Sequence, residues 1–220
     1  VLVAAEAFFF LIAWECMSLA PFFLLAPEDK NANQRYASWI YLIVAHLGAL
    51  PLLLLFASMS QETGSGLFAH FHIFASTVQW QSAGLFFVLA LLGFGMKMGL
   101  APLHVWMPEA HSLAPVDVTI LLSGTVVNIG LYGSLRTLSL LGLPAEWWAY
   151  ALMGMGALSG LLGIIFALAQ TNLKRSLAFS SSDNMGIVAL GIGAGILSAL
   201  DGTSLATVFF FAGALLHVWN

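Results

Sequence analysis

The run Trp39-Ile40-Tyr41-Leu42-Ile43-Val44-Ala45-His46-Leu47-Gly48-Ala49-Leu50-Pro51-Leu52-Leu53-Leu54-Leu55-Phe56-Ala57 holds no Asp, Glu, Lys or Arg and is apolar almost throughout. A helix needs ~20 such residues to cross the ~30 Å hydrocarbon core of a bilayer. Continuous apolarity marks a spanning helix, whereas a barrel strand alternates apolar and polar residues in dyads. Further stretches read the same way, and together they predict spans at 3–25, 36–58, 83–101, 118–138, 146–169, 183–200 and 203–220. The expected fold is all-α, a polytopic transmembrane helix bundle of about seven spans. The connector 59–82 has room for an interfacial element. Within it Leu67-Phe68-Ala69-His70-Phe71-His72-Ile73-Phe74 reads as a helix or re-entrant piece at the surface.

Composition points the same way. The 220 residues are 60% hydrophobic and 7% charged, with net charge −4; soluble domains run at ~45–50% and ~25%. That excludes an ordinary soluble globule, and it excludes disorder, which needs low hydrophobicity and high charge. Six basic residues in the whole chain argue against electrostatic binding of nucleic acid. The single cysteine, Cys16, leaves no intramolecular disulfide, iron–sulfur cluster or thiolate zinc site. Gly191-Ile192-Gly193 lies inside an apolar span with no strand before it, so it is no dinucleotide loop. Nothing sets Ser, His and Asp in a triad. No cofactor and no metal are expected. The chain opens at Val1 without the basic n-region of a signal peptide and stops at Asn220 inside an apolar run. It is expected to be one transmembrane domain, 1–220, truncated at both ends.

Few basic residues decide orientation. Lys30, Arg35, Lys174 and Arg175 fall in connectors on one side, and Arg136 alone on the other. The positive-inside rule puts the first side in the cytoplasm. Gly156–Gly160 and Gly191–Gly195 have the spacing for close helix packing.

Two ionisable residues are stranded in apolar runs: Glu15, after Phe8-Phe9-Phe10-Leu11-Ile12-Ala13-Trp14, and Lys97, within Gly95-Met96-Lys97-Met98-Gly99. A charge at mid-membrane costs at least ~2.5–3.5 kcal/mol, so such residues mark pathways unless they are structural. Lys97 also allows snorkelling to the interface, and Glu15 a structural hydrogen-bonded carboxyl. The two are opposite in sign. A carboxylate that approaches a buried amine favours its charged form, and one that withdraws disfavours it. That is a way to load and unload a proton without a cofactor. His46, mid-span, suits a relay, because histidine exchanges protons near neutral pH; a core histidine bonded to a neighbouring helix is the alternative. Asp117, Gly124 and Asn128 fall near one line of a helix at 100° per residue, with Thr125 and Tyr132 beside it. That stripe can hold water or bind helices together. His217 begins another polar face, and Glu6 reads as interfacial. Pro102 and Pro108 break the helix after Lys97, a place where transporters bind ions. His104 and His111 flank the break, as caps or as relay groups.

The stretch Gly95-Met96-Lys97-Met98-Gly99-Leu100-Ala101-Pro102-Leu103-His104-Val105-Trp106-Met107-Pro108-Glu109-Ala110-His111 resembles the signature of the antiporter-like membrane subunits. These occur in respiratory complex I, in membrane-bound hydrogenases related to formate hydrogenlyase, and in multisubunit cation/proton antiporters. The likeness continues in Trp14-Glu15-Cys16-Met17-Ser18-Leu19, in Leu121-Leu122-Ser123-Gly124, in Gly130-Leu131-Tyr132-Gly133, in Asn172-Leu173-Lys174-Arg175-Ser176-Leu177-Ala178-Phe179-Ser180-Ser181 and in Leu216-His217-Val218-Trp219-Asn220. The wording is most similar to the hydrogenase-4 and formate hydrogenlyase branch. The resemblance implies that these spans are the fifth to eleventh helices of a longer subunit. It implies that Glu15 and Lys97 are the family's charged pair, and that the proton path continues through the eighth and eleventh helices, the latter carrying His217. Where many relatives have a lysine on the eighth helix, this chain has Asn128. Asparagine carries no proton as a charge, although it can orient a water.

The function expected from the resemblance is proton translocation through Glu15, Lys97, His46, Asn128 and His217, with Pro102, His104, Pro108 and His111 forming the break. Electron transfer belongs to partners: other membrane subunits and peripheral hydrogenase or dehydrogenase subunits. The expected place is the prokaryotic inner (plasma) membrane. A complex I subunit, a Na⁺/H⁺ antiporter subunit and a non-conducting scaffold are the alternatives.

Overall fold

The computed structural model describes residues 1–25, 32–77, 82–142 and 144–219. Lys30 of the orientation count, residues 78–81 of the second connector and Asn220 lie outside the described residues. The elements run α1 (Ala7–Leu25), α2 (Ala32–Thr63), α3 (Phe68–Thr77), α4 (Ala83–Met98), α5 (Trp106–Leu113), α6 (Val116–Leu121), a π-helical turn (Leu122–Val126), α7 (Val127–Leu141), α8 (Glu146–Leu168), α9 (Leu173–Leu200) and α10 (Ser204–Trp219). Among the described residues, five helices are long and apolar enough to cross a membrane: α1, α2, the continuous Val116–Leu141, α8 and α9. The shorter α4 and α10 are also apolar. The all-helical transmembrane bundle read from the sequence is the fold.

Two compact units make up the chain: Val1–Met98 with Leu113–Leu143, and Gly99–Ser112 with Pro144–Asn220. In the first, Phe10 of α1 lies at the centre of an aromatic cluster, 5.3 Å from Phe56, 5.8 Å from Trp14 and 5.8 Å from Phe68. The expected surface element is α3. It is a helix, but Phe68 and Phe71 are buried in that cluster while Ile73 is exposed. Its entry is fixed by an isolated antiparallel bridge between Glu6 and Leu67. Ala7 N–H donates to Gly66 O and Phe68 N–H to Ala5 O. Glu6 therefore precedes α1, which starts later than the expected residue 3.

In the second unit α8 and α9 pack at backbone distance. A Cβ on Gly156 would lie 2.6 Å from the Gly186 carbonyl oxygen, and one on Gly163 would lie 2.9 Å from Asp183 N. The second glycine pair serves a different neighbour: Gly191 faces Ala214 and Gly195 faces the Phe211 ring, both on α10.

One boundary needs correcting. The sixth span was expected to begin at residue 183, which left Ser180-Ser181-Ser182 in the connector before it. The helix instead begins at Leu173, and the Asn172 side chain accepts the Arg175 N–H as an N-cap. Serines survive inside a helix when their hydroxyls have partners. Ser182 donates to Gly99 O at 2.6 Å, and Ser181 to Leu177 O at 3.0 Å.

Candidate proton-handling site

α4 stops one residue after Lys97 because Gly99 takes φ +70°, the left-handed conformation that closes helices. Pro102 then follows in a run of turns, and Pro108 falls in the first turn of α5, where no intrahelical donor is lost. The break so expected at Lys97–Pro102 is present. It frees backbone groups that need partners, and two serines supply them. Ala101 N–H donates to Ser159 Oγ at 3.2 Å, Ser159 Oγ donates to Ser182 O at 2.9 Å, and Ser182 takes Gly99 O. Neither serine was singled out in the sequence; Ser159 alone, polar in an otherwise apolar α8, gave a signal. Any side chain at Gly99 must adopt its left-handed backbone and meet Met107, which is fully buried. Gly99→Ala is expected to destabilise the protein by about 1–2 kcal/mol, read as a lower melting temperature of the detergent-solubilised complex.

Lys97 is 4% exposed. Its Nζ donates to Ser18 Oγ of α1 at 2.8 Å and, more weakly, to the Tyr41 hydroxyl of α2 at 3.4 Å. It also sits 5.3 Å from the Tyr41 ring centre and 5.8 Å from that of Trp14, within cation–π range. Ser18 is oriented for this: its own hydrogen goes to Trp14 O at 2.9 Å, so a lone pair faces the amine. Gly130 of α7 lies against the Lys97 stem; a Cβ there would be 3.2 Å from Lys97 Cβ. Lys97 is thus lodged inside the unit, which sets aside the snorkelling alternative. Ser18 and Tyr41 escaped the sequence reading, although Ser18 follows Glu15 by three residues on one helix face.

Glu15 does not sit against Lys97. Its carboxylate pairs with His46, Oε2 to Nε2 at 3.6 Å, and the side chains are 34% and 52% exposed. The expected buried contact is replaced by two pairings about one turn of α1 apart, since Ser18 rather than Glu15 faces the amine. His46 Nδ1 lies 2.9 Å from Leu42 O. A carbonyl oxygen only accepts, so Nδ1 carries a hydrogen. Nε2 makes an ion pair with the carboxylate only when it carries a proton as well. Glu15 and His46 open on a cleft of about 560 Å³ between α1 and α2, lined by Leu11, Leu42, Leu50 and Leu53.

Asn128 donates from Nδ2 to Gly124 O at 2.9 Å, across the π-helical turn, and its Oδ1 is buried with no hydrogen-bond partner among the described residues. The polar stripe drawn through Asp117 is corrected here. It assumed an even 100° pitch, and the i→i+5 bonding of the π turn breaks that pitch between Asp117 and Asn128. Asp117 is exposed, and the Tyr132 hydroxyl donates to Leu2 O instead.

In the second unit His217 Nε2 lies 3.1 Å from Asn184 Oδ1. His111 is buried, its ring 6.1 Å from Trp106. His104 faces Phe179 and has a buried Nδ1 without a hydrogen-bond partner among the described residues. Glu109 of α5 pairs with Arg175 in the first turn of α9 at 2.6 Å. Among the described residues no group of three His, Cys, Asp or Glu has the geometry to hold a metal ion.

The family described as NADH:quinone oxidoreductase/Mrp antiporter, TM, matches residues 4–218. The chain belongs to this antiporter family. Hydrogenase-4 component B of Escherichia coli (strain K12) is 39% identical over 224 residues, covering 100% of this chain and 33% of that protein. Formate hydrogenlyase subunit 3 of the same organism is 41% identical over 135 residues, 60% of this chain and 22% of that protein. The membrane-bound sulfane sulfur reductase, an archaeal respiratory membrane complex, contains a chain that superposes with TM-score 0.79 at 27% identity, over 99% of this chain and 36% of that one. The chain therefore spans about a third or less of the length of these antiporter-family relatives. It is an antiporter-like, multi-pass membrane protein whose homologues are subunits of multisubunit membrane complexes.

Proposed function

We propose that this chain is the proton-translocating part of a membrane subunit in a hydrogenase-4 or formate-hydrogenlyase type of assembly, with residues 1–220 acting as one translocating domain. One observation carries the reading: a buried amine, Lys97, held by neutral hydroxyls at a helix break, with Glu15 paired to His46 about one turn of α1 from the Ser18 that binds the amine. When that pair holds its proton on the carboxyl, no full charge faces Lys97. When the proton sits on His46, a carboxylate stands near the amine and favours its charged form. Moving one proton within the pair thus biases whether Lys97 holds its own. Asn128 serves as a water-holding station, and His217 on Asn184 as a further carrier. His104 and His111 flank the break, which Pro102 and Pro108 shape. Redox chemistry belongs to peripheral hydrogenase or dehydrogenase partners, and the setting is the prokaryotic plasma membrane.

The test is proton movement in sealed vesicles containing the whole complex during redox turnover, followed with a pH-sensitive dye. Uptake that a protonophore collapses and that persists when sodium is replaced by choline is the expected result. Uptake that needs sodium favours a Na⁺/H⁺ antiporter role. A second reading rests on Asn128, which holds no charge where many relatives carry lysine: a non-conducting scaffold. Electron transfer with no uptake in tight vesicles would establish it.

A further inference from the structure

α9 has 28 residues, about 42 Å at ~1.5 Å per residue, and its first turn carries Lys174 and Arg175. Asp183 lies about 12 Å past Arg175 on the same scale, well inside a ~30 Å hydrocarbon layer. The late start expected for this helix had put it at the very edge of the span. Its side chain occupies the glycine face of α8: a Cβ on Gly160 would be 3.4 Å from Asp183 Oδ1, and one on Gly163 would be 2.9 Å from Asp183 Cβ. α8 thus gives the carboxylate room but no charge. Among the described residues Asp183 makes no hydrogen bond through its side chain and no ion pair. The titratable group beside it is His217 of α10, whose Nε2 lies 3.1 Å from Oδ1 of Asn184, the neighbour of Asp183 in the chain. An ionisable side chain inside a span is kept by a partner, by a watery cavity or by a proton to carry.

We propose that Asp183 is a proton-carrying carboxylate of this chain, exchanging a proton with His217 across the α9–α10 contact. In the transfer an N–H bond of the imidazolium breaks and an O–H bond forms on the carboxylate, leaving neutral imidazole and carboxylic acid. The reverse step restores both groups, and the pair keeps its total charge. Asn184 holds the imidazole between transfers, and a turn of the ring brings Nε2 from Asn184 to its neighbour. The inference rests on the proton-translocating reading above.

The test compares whole complexes in sealed vesicles carrying Asp183→Asn, Asp183→Glu or Lys97→Met. Asp183→Asn is expected to lower proton uptake roughly tenfold or more, with Asp183→Glu retaining most of it. Infrared difference spectra taken through turnover are expected to show a carboxyl C=O band that Asp183→Asn removes. Native uptake in Asp183→Asn, or a band unchanged by it, overturns the proposal. If Asp183→Asn does not assemble, Asp183→Glu decides: the band moves with the longer side chain if this group exchanges protons and stays if it does not. Loss of uptake in Lys97→Met beside native uptake in Asp183→Asn sinks this proposal alone. Native uptake in Lys97→Met and Asp183→Asn together sinks the underlying reading as well.

Discussion

Lys97→Met is expected to lower proton uptake by the assembled complex ~10²-fold or more, the scale on which positioned proton donors and acceptors act. Methionine matches the unbranched stem and fills its slot against Gly130 and the rings of Trp14 and Tyr41. It removes the amine, with its charge, its exchangeable protons and its bonds to Ser18 and Tyr41. Stability is expected to hold because of how Ser18 is used. Its hydrogen already goes to Trp14 O, so losing the amine strands an acceptor lone pair and no donor. Leaving a buried donor unsatisfied costs about 1–3 kcal/mol, and that cost is avoided. The measurement is dye-reported uptake set against electron-transfer rate in the same vesicles, with complex assembly checked on native gels. Uptake that falls while electron transfer survives an uncoupler identifies Lys97 as a carrier. Unchanged uptake in an assembled complex makes its charge structural.

Gly156→Val is expected to produce the largest loss of stability, about 3 kcal/mol or more, at the upper end for overpacked sites. The new Cβ would lie 2.6 Å from Gly186 O and 2.8 Å from Leu190 N, and backbone atoms cannot swing aside as a side chain can. Between spanning helices there is little hydrophobic force to recover the gap, since lipid tails are as apolar as the displaced surface. The damage reaches the break as well. Ser159 lies on the same face of α8, one turn on, and holds both Ala101 N–H and Ser182 O. Separating α8 from α9 takes those bonds apart. Gly154 is the control, since nothing lies within 4 Å of a Cβ there. Gly154→Val is expected to melt close to native and Gly156→Val well below it, in the same detergent.

Apolar run length made the bundle legible, because it reports a property each helix has alone. Lys97, Pro102 and the break were legible too, because a charge and prolines stand out in Gly- and Leu-rich surroundings. What stayed hidden depends on partners. Ser180-Ser181-Ser182 falls in the expected connector until Gly99 O is seen waiting for Ser182, and that late start put Asp183 at the edge of its span instead of well inside it. Asn172, a good N-cap residue followed at once by an apolar residue, was the available sign of the true start. The π turn has no sequence mark, and it spoiled a stripe that an even pitch would have kept. The partner of Glu15 also lay beyond reach, since opposite charge suggested Lys97, whereas the rotation of α1 gave the carboxylate to His46.

The spacing of Glu15 and His46 bears on how the proposed proton path would respond to voltage. A transmembrane potential does about 2.3 kcal/mol of work per 100 mV on one charge carried across the whole core. The two groups are 3.6 Å apart. Even a hop directed wholly along the membrane normal spans about an eighth of a ~30 Å core, so it gathers no more than ~0.3 kcal/mol. That is below thermal energy. An energised membrane therefore leaves a proton hop between these two groups, as proposed, almost untouched, and such a step answers to its chemical surroundings whether the bilayer is charged or discharged.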